Sequence, residues 1–136
     1  MKRRNFIQTS LAATTGIALV EPLNAATTPL SIKAKKYLRH VVMFKFKDNT
    51  SADDIKKVEA AFRALPSKIK EIKAFEWGIN NSPEKHDNGF THVFFLSFAS
   101  EADRAVYLPH PDHKAFGKVL GPHLDKVMVL DYWAEQ

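Results

Sequence analysis

The chain of 136 residues contains 20 basic and 15 acidic side chains, six histidines and no cysteine. The lack of cysteine excludes disulfides, thiol catalysis, iron–sulfur clusters and thiolate zinc sites, so stability must come from core burial or oligomerisation. The formal charge of +5 is spread thinly along the sequence, and a nucleic-acid-binding face is therefore not predicted.

Residues 1–25 predict an export signal. Positions 2–4 are basic, a mildly apolar segment follows at 6–20, and small residues surround Ala25. This order is typical of a secretory signal peptide, and the Arg-Arg-Asn-Phe-Ile run resembles the twin-arginine export signature. The apolar segment is shorter than the roughly 20 residues that cross a bilayer, so no stable membrane anchor is expected.

Removal of the signal would leave one small domain. It would take away three basic residues and one acidic residue and leave a formal charge of +3. Residues 26–37 are rich in Thr, Lys and Ala and are interpreted as a flexible leader. The domain is expected to occupy residues 38–133, in the periplasm or outside the cell.

The first strand and the first helix are predicted from the segment that follows the leader. Leu38–Lys47 is rich in β-branched and aromatic residues, which is typical of a strand. Ser51 and Asp54 form a capping box, and apolar residues then recur at helical spacing until Pro66, which is expected to end the helix. The alternation along the strand assigns these residues to one face: His40, Val42, Phe44 and Phe46. Val41 and Met43 fall on the other face.

Two further strands are predicted around a turn-rich loop, NNSPEKHDNG. The second strand covers about residues 72–79, and the third covers Thr91–Phe98. One face of the second strand carries Lys73, Phe75, Trp77 and Ile79. One face of the third carries His92, Phe94, Leu96 and Phe98.

Two helices and a strand complete the chain. Ser100 caps a helix that ends at Pro109, and Pro111 begins another that ends at Gly121. The last strand covers residues 126–133. Its alternation assigns Val127, Val129 and Asp131 to one face, and Met128, Leu130 and Tyr132 to the other.

The order β-α-β-β-α-β predicts a ferredoxin-like α+β fold, an antiparallel sheet with its helices on one face. The first, third and last strands are apolar on both faces, although the helices suffice to cover only one. The uncovered face would exceed the few hundred Å² of apolar patch that soluble monomers expose. A second copy packed sheet to sheet across a two-fold axis would cover it, so a homodimer is predicted.

Four segments in order resemble the stress-responsive dimeric α/β-barrel family: HVVMFKFK, GFTHVFFLSF, YLPHPDH and LDKVMVLDYW. The resemblance extends from Leu38 to Trp133. It implies a ferredoxin-like domain that dimerises through its sheets into a barrel. It also implies kinship with plant proteins of stress or antifungal roles, and with a cofactor-free cyclase that closes a polyketide ring by aldol condensation. The exported leader departs from that pattern and disfavours a plant-type polyketide substrate.

The resemblance also implies site residues. Tyr107 and His113 match the catalytic pair of the cyclase, and Asp131 matches the closing aspartate of the family pattern. His110 from the same motif is added as a ligand-binding candidate. Positions that match the cyclase pocket between sheet and helices are His40, Val42, Phe44, Phe75, His92, Phe94, Phe116 and Gly117.

Aldol chemistry without a cofactor needs a base for the proton α to a carbonyl and a donor for the oxyanion. His113 falls in the first turn of a helix begun at Pro111, where the positive helix end favours a neutral ring. Asp131 is expected to accept its other ring N–H, and Tyr107 to donate to the carbonyl oxygen. No cofactor and no metal are expected.

Several alternatives stay open at this point. The leading hypothesis is a small, apolar carbonyl-type ligand in a sheet–helix cavity, with or without catalysis by His113. A non-catalytic stress or stability protein is the second, because any proline-rich helix junction can carry capping His and Asp residues. A cofactor-free oxygenase rests on analogy of fold alone. His40 and His92 share a phase and are expected to meet on neighbouring strands, as pocket groups, metal ligands or partners of the backbone.

Overall fold

The computed structural model describes residues 35–135, so the predicted export signal lies outside the described residues, as does most of the leader. The elements are β1 Leu38–Phe46, α1 Ala52–Arg63, α2 Leu65–Lys68, β2 Ala74–Ile79, β3 His92–Phe98, α3 Glu101–Tyr107, α4 Pro111–Leu120 and β4 Leu124–Trp133. The four strands form one antiparallel sheet in the order β2-β3-β1-β4. The predicted ferredoxin-like fold is confirmed.

The core lies between the helices and one face of the sheet. Alternate residues of β1 are buried, as are alternate residues of β3, because successive side chains in a strand point to opposite faces. Phe44 of β1 contacts Phe94 of β3, and both rings contact Phe62 of α1. The predicted face assignment of these two strands is confirmed.

Side-chain caps start two of the helices where the sequence predicts. The Ser51 hydroxyl accepts a hydrogen bond from the Asp54 N–H at 3.1 Å, and Ser100 caps α3 in the same way. The expectation that Pro66 ends the helical run is wrong. α1 ends earlier, at Arg63, and Pro66 lies in the first turn of α2, where a missing N–H costs nothing.

The second face of the sheet is open in the isolated chain. On β4, Leu130 and Tyr132 of this face are 52% and 47% exposed. The opposite face of β4 is open too, with Val127 50% exposed, because β4 is the edge strand next to β1 and the helices pack mainly over the other strands. Within residues 35–135, none of the helices combines the length and apolar character needed to cross a membrane.

Candidate functional site

A cleft of about 470 Å³ opens on the helix side of the sheet, between β1 and β4 below and α3 and α4 above. Its size lies within the range of small-molecule sites. Eight of the predicted site residues line it: His40, Val42, Phe44, Tyr107, His113, Phe116, Gly117 and Asp131. The structure adds residues that were not predicted as site residues: Phe62, Leu108, Lys114, Leu120, Leu124, Val127 and Val129.

Four predicted ligand-binding residues do not line the cleft. Phe94 is fully buried in the core, and the ring of Phe75 stacks against the ring of Phe94. His110 caps α4, where its Nδ1 accepts a hydrogen bond from the Asp112 N–H at 3.2 Å. His92 lies at the opposite end of the sheet. Three of these four residues lie on β2 and β3, and the cleft does not extend to those strands.

His40 and His92 do not meet, and this prediction is wrong. In the register of β1 with β3, His40 lies opposite Leu96, whereas His92 lies opposite Phe44. Four positions of a strand separate them, about 13 Å at 3.3 Å per residue. His92 instead contacts the Glu59 carboxylate at 3.0 Å through Nε2.

The YLPHPDH segment brings a phenol and an imidazole together. Tyr107 is the last residue of α3, and His113 lies in the first turn of α4. The two prolines between them separate the helices, and the His110 N–H closes the bend onto the Tyr107 carbonyl at 3.0 Å. The rings of Tyr107 and His113 stack with their centroids 4.3 Å apart.

Asp131 does not orient His113, contrary to the prediction. Its Oδ1 lies 2.5 Å from Nδ1 of His40, and its Oδ2 accepts a hydrogen bond from Arg104 at 2.7 Å. Arg104 was missed by the sequence analysis. It precedes Tyr107 by three residues on α3, a spacing that places both side chains on one helix face and that was available from the sequence.

A backbone carbonyl orients His113 instead. Its Nδ1 lies 2.9 Å from the carbonyl oxygen of Leu108, which can only accept, so Nδ1 carries the proton and donates. The neutral ring then has its lone pair on Nε2. This nitrogen is a base for a ligand, and the tautomer is fixed by the helix junction itself.

Burial tunes the other two proton-carrying groups of the cleft. It lowers the pKa of His40 below 6.5 and outweighs the Asp131 carboxylate, which acts in the opposite direction. It raises the pKa of Tyr107 well above its ordinary range, so the phenol stays protonated and can only donate or accept as a neutral group. The Tyr107 hydroxyl is buried without a hydrogen-bond partner among the described residues.

The cleft therefore contains a fixed base, a protonated phenol and a buried imidazole against mostly apolar walls. Within residues 35–135, no three or more His, Asp and Glu side chains are grouped so that they could hold a metal ion. The chemistry that the described residues themselves support is proton transfer and hydrogen-bond donation.

Comparison with known proteins shows the family to which the chain belongs. The family model described as the stress responsive A/B barrel domain matches residues 38–134. The chain belongs to this family. Stress-response A/B barrel domain-containing protein HS1 of Arabidopsis thaliana is 37% identical over 100 residues, which cover 74% of this chain and 92% of that protein.

Other family relatives include named enzymes. Olivetolic acid cyclase of Cannabis sativa is 26% identical over 95 residues, 70% of this chain and 94% of the cyclase. Among solved structures, the hydroxynitrile lyase of Passiflora edulis superimposes with a TM-score of 0.70 at 29% identity, over 75% of this chain and 96% of the lyase. A dimeric protein of unknown function from Bacteroides fragilis gives 0.61 at 28% identity, over 72% and 96%. The A/B barrel domain thus carries chemistry in some members and none that is known in others.

Proposed function

We propose that this A/B barrel protein binds a small, largely apolar carbonyl compound in its cleft and transfers a proton there without a cofactor. The observation that carries the proposal is the hydroxyl of Tyr107, a residue that lines the cleft, because it is buried without a hydrogen-bond partner among the described residues. A buried hydroxyl without a hydrogen bond costs about 1–3 kcal/mol, and a ligand carbonyl oxygen that accepts from it would recover that cost.

The proposed proton transfer uses the two stacked rings of Tyr107 and His113. His113 takes a proton from the carbon α to the carbonyl, onto Nε2, because its Nδ1 already carries one. The electrons of the broken C–H bond move to the carbonyl oxygen, and Tyr107 stabilises the developing charge by donating a hydrogen bond. The enolate then takes the proton back from His113, or attacks a second carbonyl carbon to form a C–C bond, in which case His113 returns its proton to the resulting alkoxide. General-base catalysis of this kind contributes about 10²–10⁴-fold.

Two relatives support proton-transfer chemistry. A cyclase and a hydroxynitrile lyase share the domain at 26% and 29% identity. Both names describe reactions in which a bond to carbon is made or broken, and this cleft contains the groups that such reactions need. The predicted export signal, in turn, disfavours a plant-type polyketide substrate for this chain.

The protein is proposed to act as a homodimer. The open face of the sheet carries exposed Met128, Leu130 and Tyr132 on β4 alone, at 38% or more. The Bacteroides fragilis relative is described as dimeric. Packing two such faces together would bury the apolar surface that the helices leave open. The predicted signal at residues 1–25 supports an exported, periplasmic or extracellular, location.

A second candidate function is a non-catalytic one, in which the domain acts through its assembly. The same Tyr107 hydroxyl favours it, because the atom is enclosed and Tyr107 itself is 0% exposed in the free chain. Catalysis requires a ligand to come within hydrogen-bond distance of that atom, whereas a structural role does not.

Deuterium exchange on a defined probe separates the two candidates. The mature protein is incubated in D₂O with 2-acetylnaphthalene, an apolar methyl ketone, and exchange at its methyl group is followed by NMR while binding is followed by fluorescence. Catalysis predicts exchange above the buffer rate that His113→Ala and Tyr107→Phe abolish. His86→Ala, which changes an exposed loop histidine, is the matched control and should leave exchange unchanged. Binding without exchange would remove catalysis from the proposal, and the absence of both would overturn the proposal in favour of the non-catalytic candidate.

A further inference from the structure

One side chain of the cleft wall bears a charge that no carboxylate of the described residues neutralises. Lys114 of α4 lines the cleft beside His113 and forms no ion pair within residues 35–135. Its helix offers it no partner either. The positions three and four residues away hold Pro111, Gly117 and two further basic groups, His110 and Lys118.

The carboxylate of the cleft already has an ion-pair partner. Asp131 is the single carboxylate among the lining residues, and Arg104 neutralises it at 2.7 Å. Asp112, the neighbouring acid on α4, points to Lys68 at 3.8 Å and to His110 at 3.6 Å. With Asp131 neutralised by Arg104, the remaining formal charge among the lining Asp, Glu, Lys and Arg residues is that of Lys114.

The rest of the wall is apolar. Val127 and Val129 of β4, with Phe116 and Leu120 of α4, offer surface for a hydrophobic body. A cation at the rim of an apolar cleft suits a molecule with an apolar body and one anionic group.

We propose that the carbonyl compound bound in this cleft also carries a carboxylate on its apolar body, and that Lys114 determines this specificity by pairing with that charge. The inference rests on the proposed function, since it concerns the same cleft. An exposed ammonium pairs weakly, so the preference for the charged ligand should be modest, about threefold. It should also fall with salt, because the pair is open to solvent.

Two probes of nearly equal shape, one anionic and one neutral, test whether Lys114 pairs with the charge of the ligand. Naphthalene-2-carboxylate and 2-acetylnaphthalene differ mainly in that an anionic oxygen replaces a methyl group. Fluorescence titrations at 50 mM NaCl should give the carboxylate about threefold tighter binding to the wild type, and 500 mM NaCl should remove most of the difference. Lys114→Gln should abolish the preference, so that both probes bind with similar affinity. Lys118→Gln, which removes an equal charge one turn along α4 but outside the cleft lining, should keep it.

The outcomes separate this inference from the function on which it rests. Equal binding of both probes to the wild type, or a preference that survives Lys114→Gln, would overturn the role of Lys114 and leave the cleft as a ligand site. If neither probe binds, the proposed function fails and the inference fails with it. Lys114 is exposed, so thermal unfolding of the variant should match the wild type and exclude a folding defect as the cause.

Discussion

The Asp131 carboxylate lies 2.5 Å from Nδ1 of His40, directly across the β1–β4 pair, where the two residues are opposite each other in the register. Arg104 approaches the second carboxylate oxygen from α3. This triad of His40, Asp131 and Arg104 connects the edge strand β4 to strand β1 and to helix α3 at the end of the cleft. Its His40 side chain is 6% exposed, so water screens the contact little.

Replacing Asp131 by Asn should therefore destabilise the domain. The variant removes the charge that pairs with Arg104 and weakens the acceptor of a buried imidazole. We expect the free energy of unfolding to fall by about 1–3 kcal/mol in urea titrations. Asp125→Asn is the control, because Asp125 pairs with Lys45 at 3.0 Å but its side chain is 40% exposed. Its loss should stay below about 1 kcal/mol. Similar losses of unfolding free energy in both variants would show that the buried triad stabilises the domain no more than a partly exposed ion pair does.

Burial of His40 makes the stability of the domain depend on pH. Burial lowers its pKa in the folded state, so the unfolded chain binds a proton more readily below pH 6.5. The stability gained from a neutral His40 is complete above pH 6.5 and is lost as the pH falls toward the folded pKa. Arg104 and His113 face the ring and oppose its protonation as well.

Urea unfolding between pH 8 and pH 5 measures this contribution. The wild type should lose more stability over that interval than His40→Gln, which cannot take up the proton at this position. His86→Gln, in the exposed loop, should keep the wild-type slope. Parallel curves for the wild type and His40→Gln would contradict the assignment.

The sequence predicted the fold and the faces of the strands because both follow from short-range periodicity. Alternation along β1 placed His40, Val42 and Phe44 on the helix side, where they are found. Chain order predicted the ferredoxin-like sheet, because short connections restrict the ways in which these elements can pack. These rules say which face a residue occupies.

The same rules do not say which residue lies opposite which. Phase alone suggested that His40 and His92 meet, but the register of β1 with β3 depends on where each strand begins, and it separates them. The register with β4 instead places Asp131 opposite His40. The hydrogen-bond partner of His113 could not be predicted from the sequence for another reason. It is the carbonyl of Leu108, and every residue type carries one.

Tyr107→Phe separates stability from ligand binding. The substitution removes a buried hydroxyl that has no partner among the described residues and keeps the ring against His40 and His113. We expect the free energy of unfolding to stay equal or to rise by about 1 kcal/mol, because no hydrogen bond is lost. Binding of 2-acetylnaphthalene, by contrast, should weaken, since the donor to its carbonyl is gone. A clear loss of stability would show that the hydroxyl has a structural partner.

The open sheet face is tested by two substitutions on one strand. Leu130 and Val127 of β4 are 52% and 50% exposed in the isolated chain but lie on opposite faces of the sheet. Leu130→Lys places a charge in the proposed sheet-to-sheet interface and should yield monomers in analytical ultracentrifugation at micromolar concentration. Val127→Lys faces the cleft and should leave the dimer intact. A wild type that sediments as a monomer would exclude the dimer altogether.

Gly117 offers a way to close the cleft without disturbing the fold. A Cβ atom added at this position meets no atom within 4 Å, and the residue lines the cleft from α4. Gly117→Ala should stabilise the helix by about 0.5–1 kcal/mol, since alanine restricts the unfolded chain and favours helix. Gly117→Leu should extend into the cleft and weaken binding of 2-acetylnaphthalene at least tenfold, as measured by fluorescence titration, because the side chain takes the space of the ring. Ala115→Leu, at an exposed position of the same helix outside the lining, controls for added bulk and should bind normally. Normal binding by Gly117→Leu as well would mean that the ligand lies elsewhere on the protein.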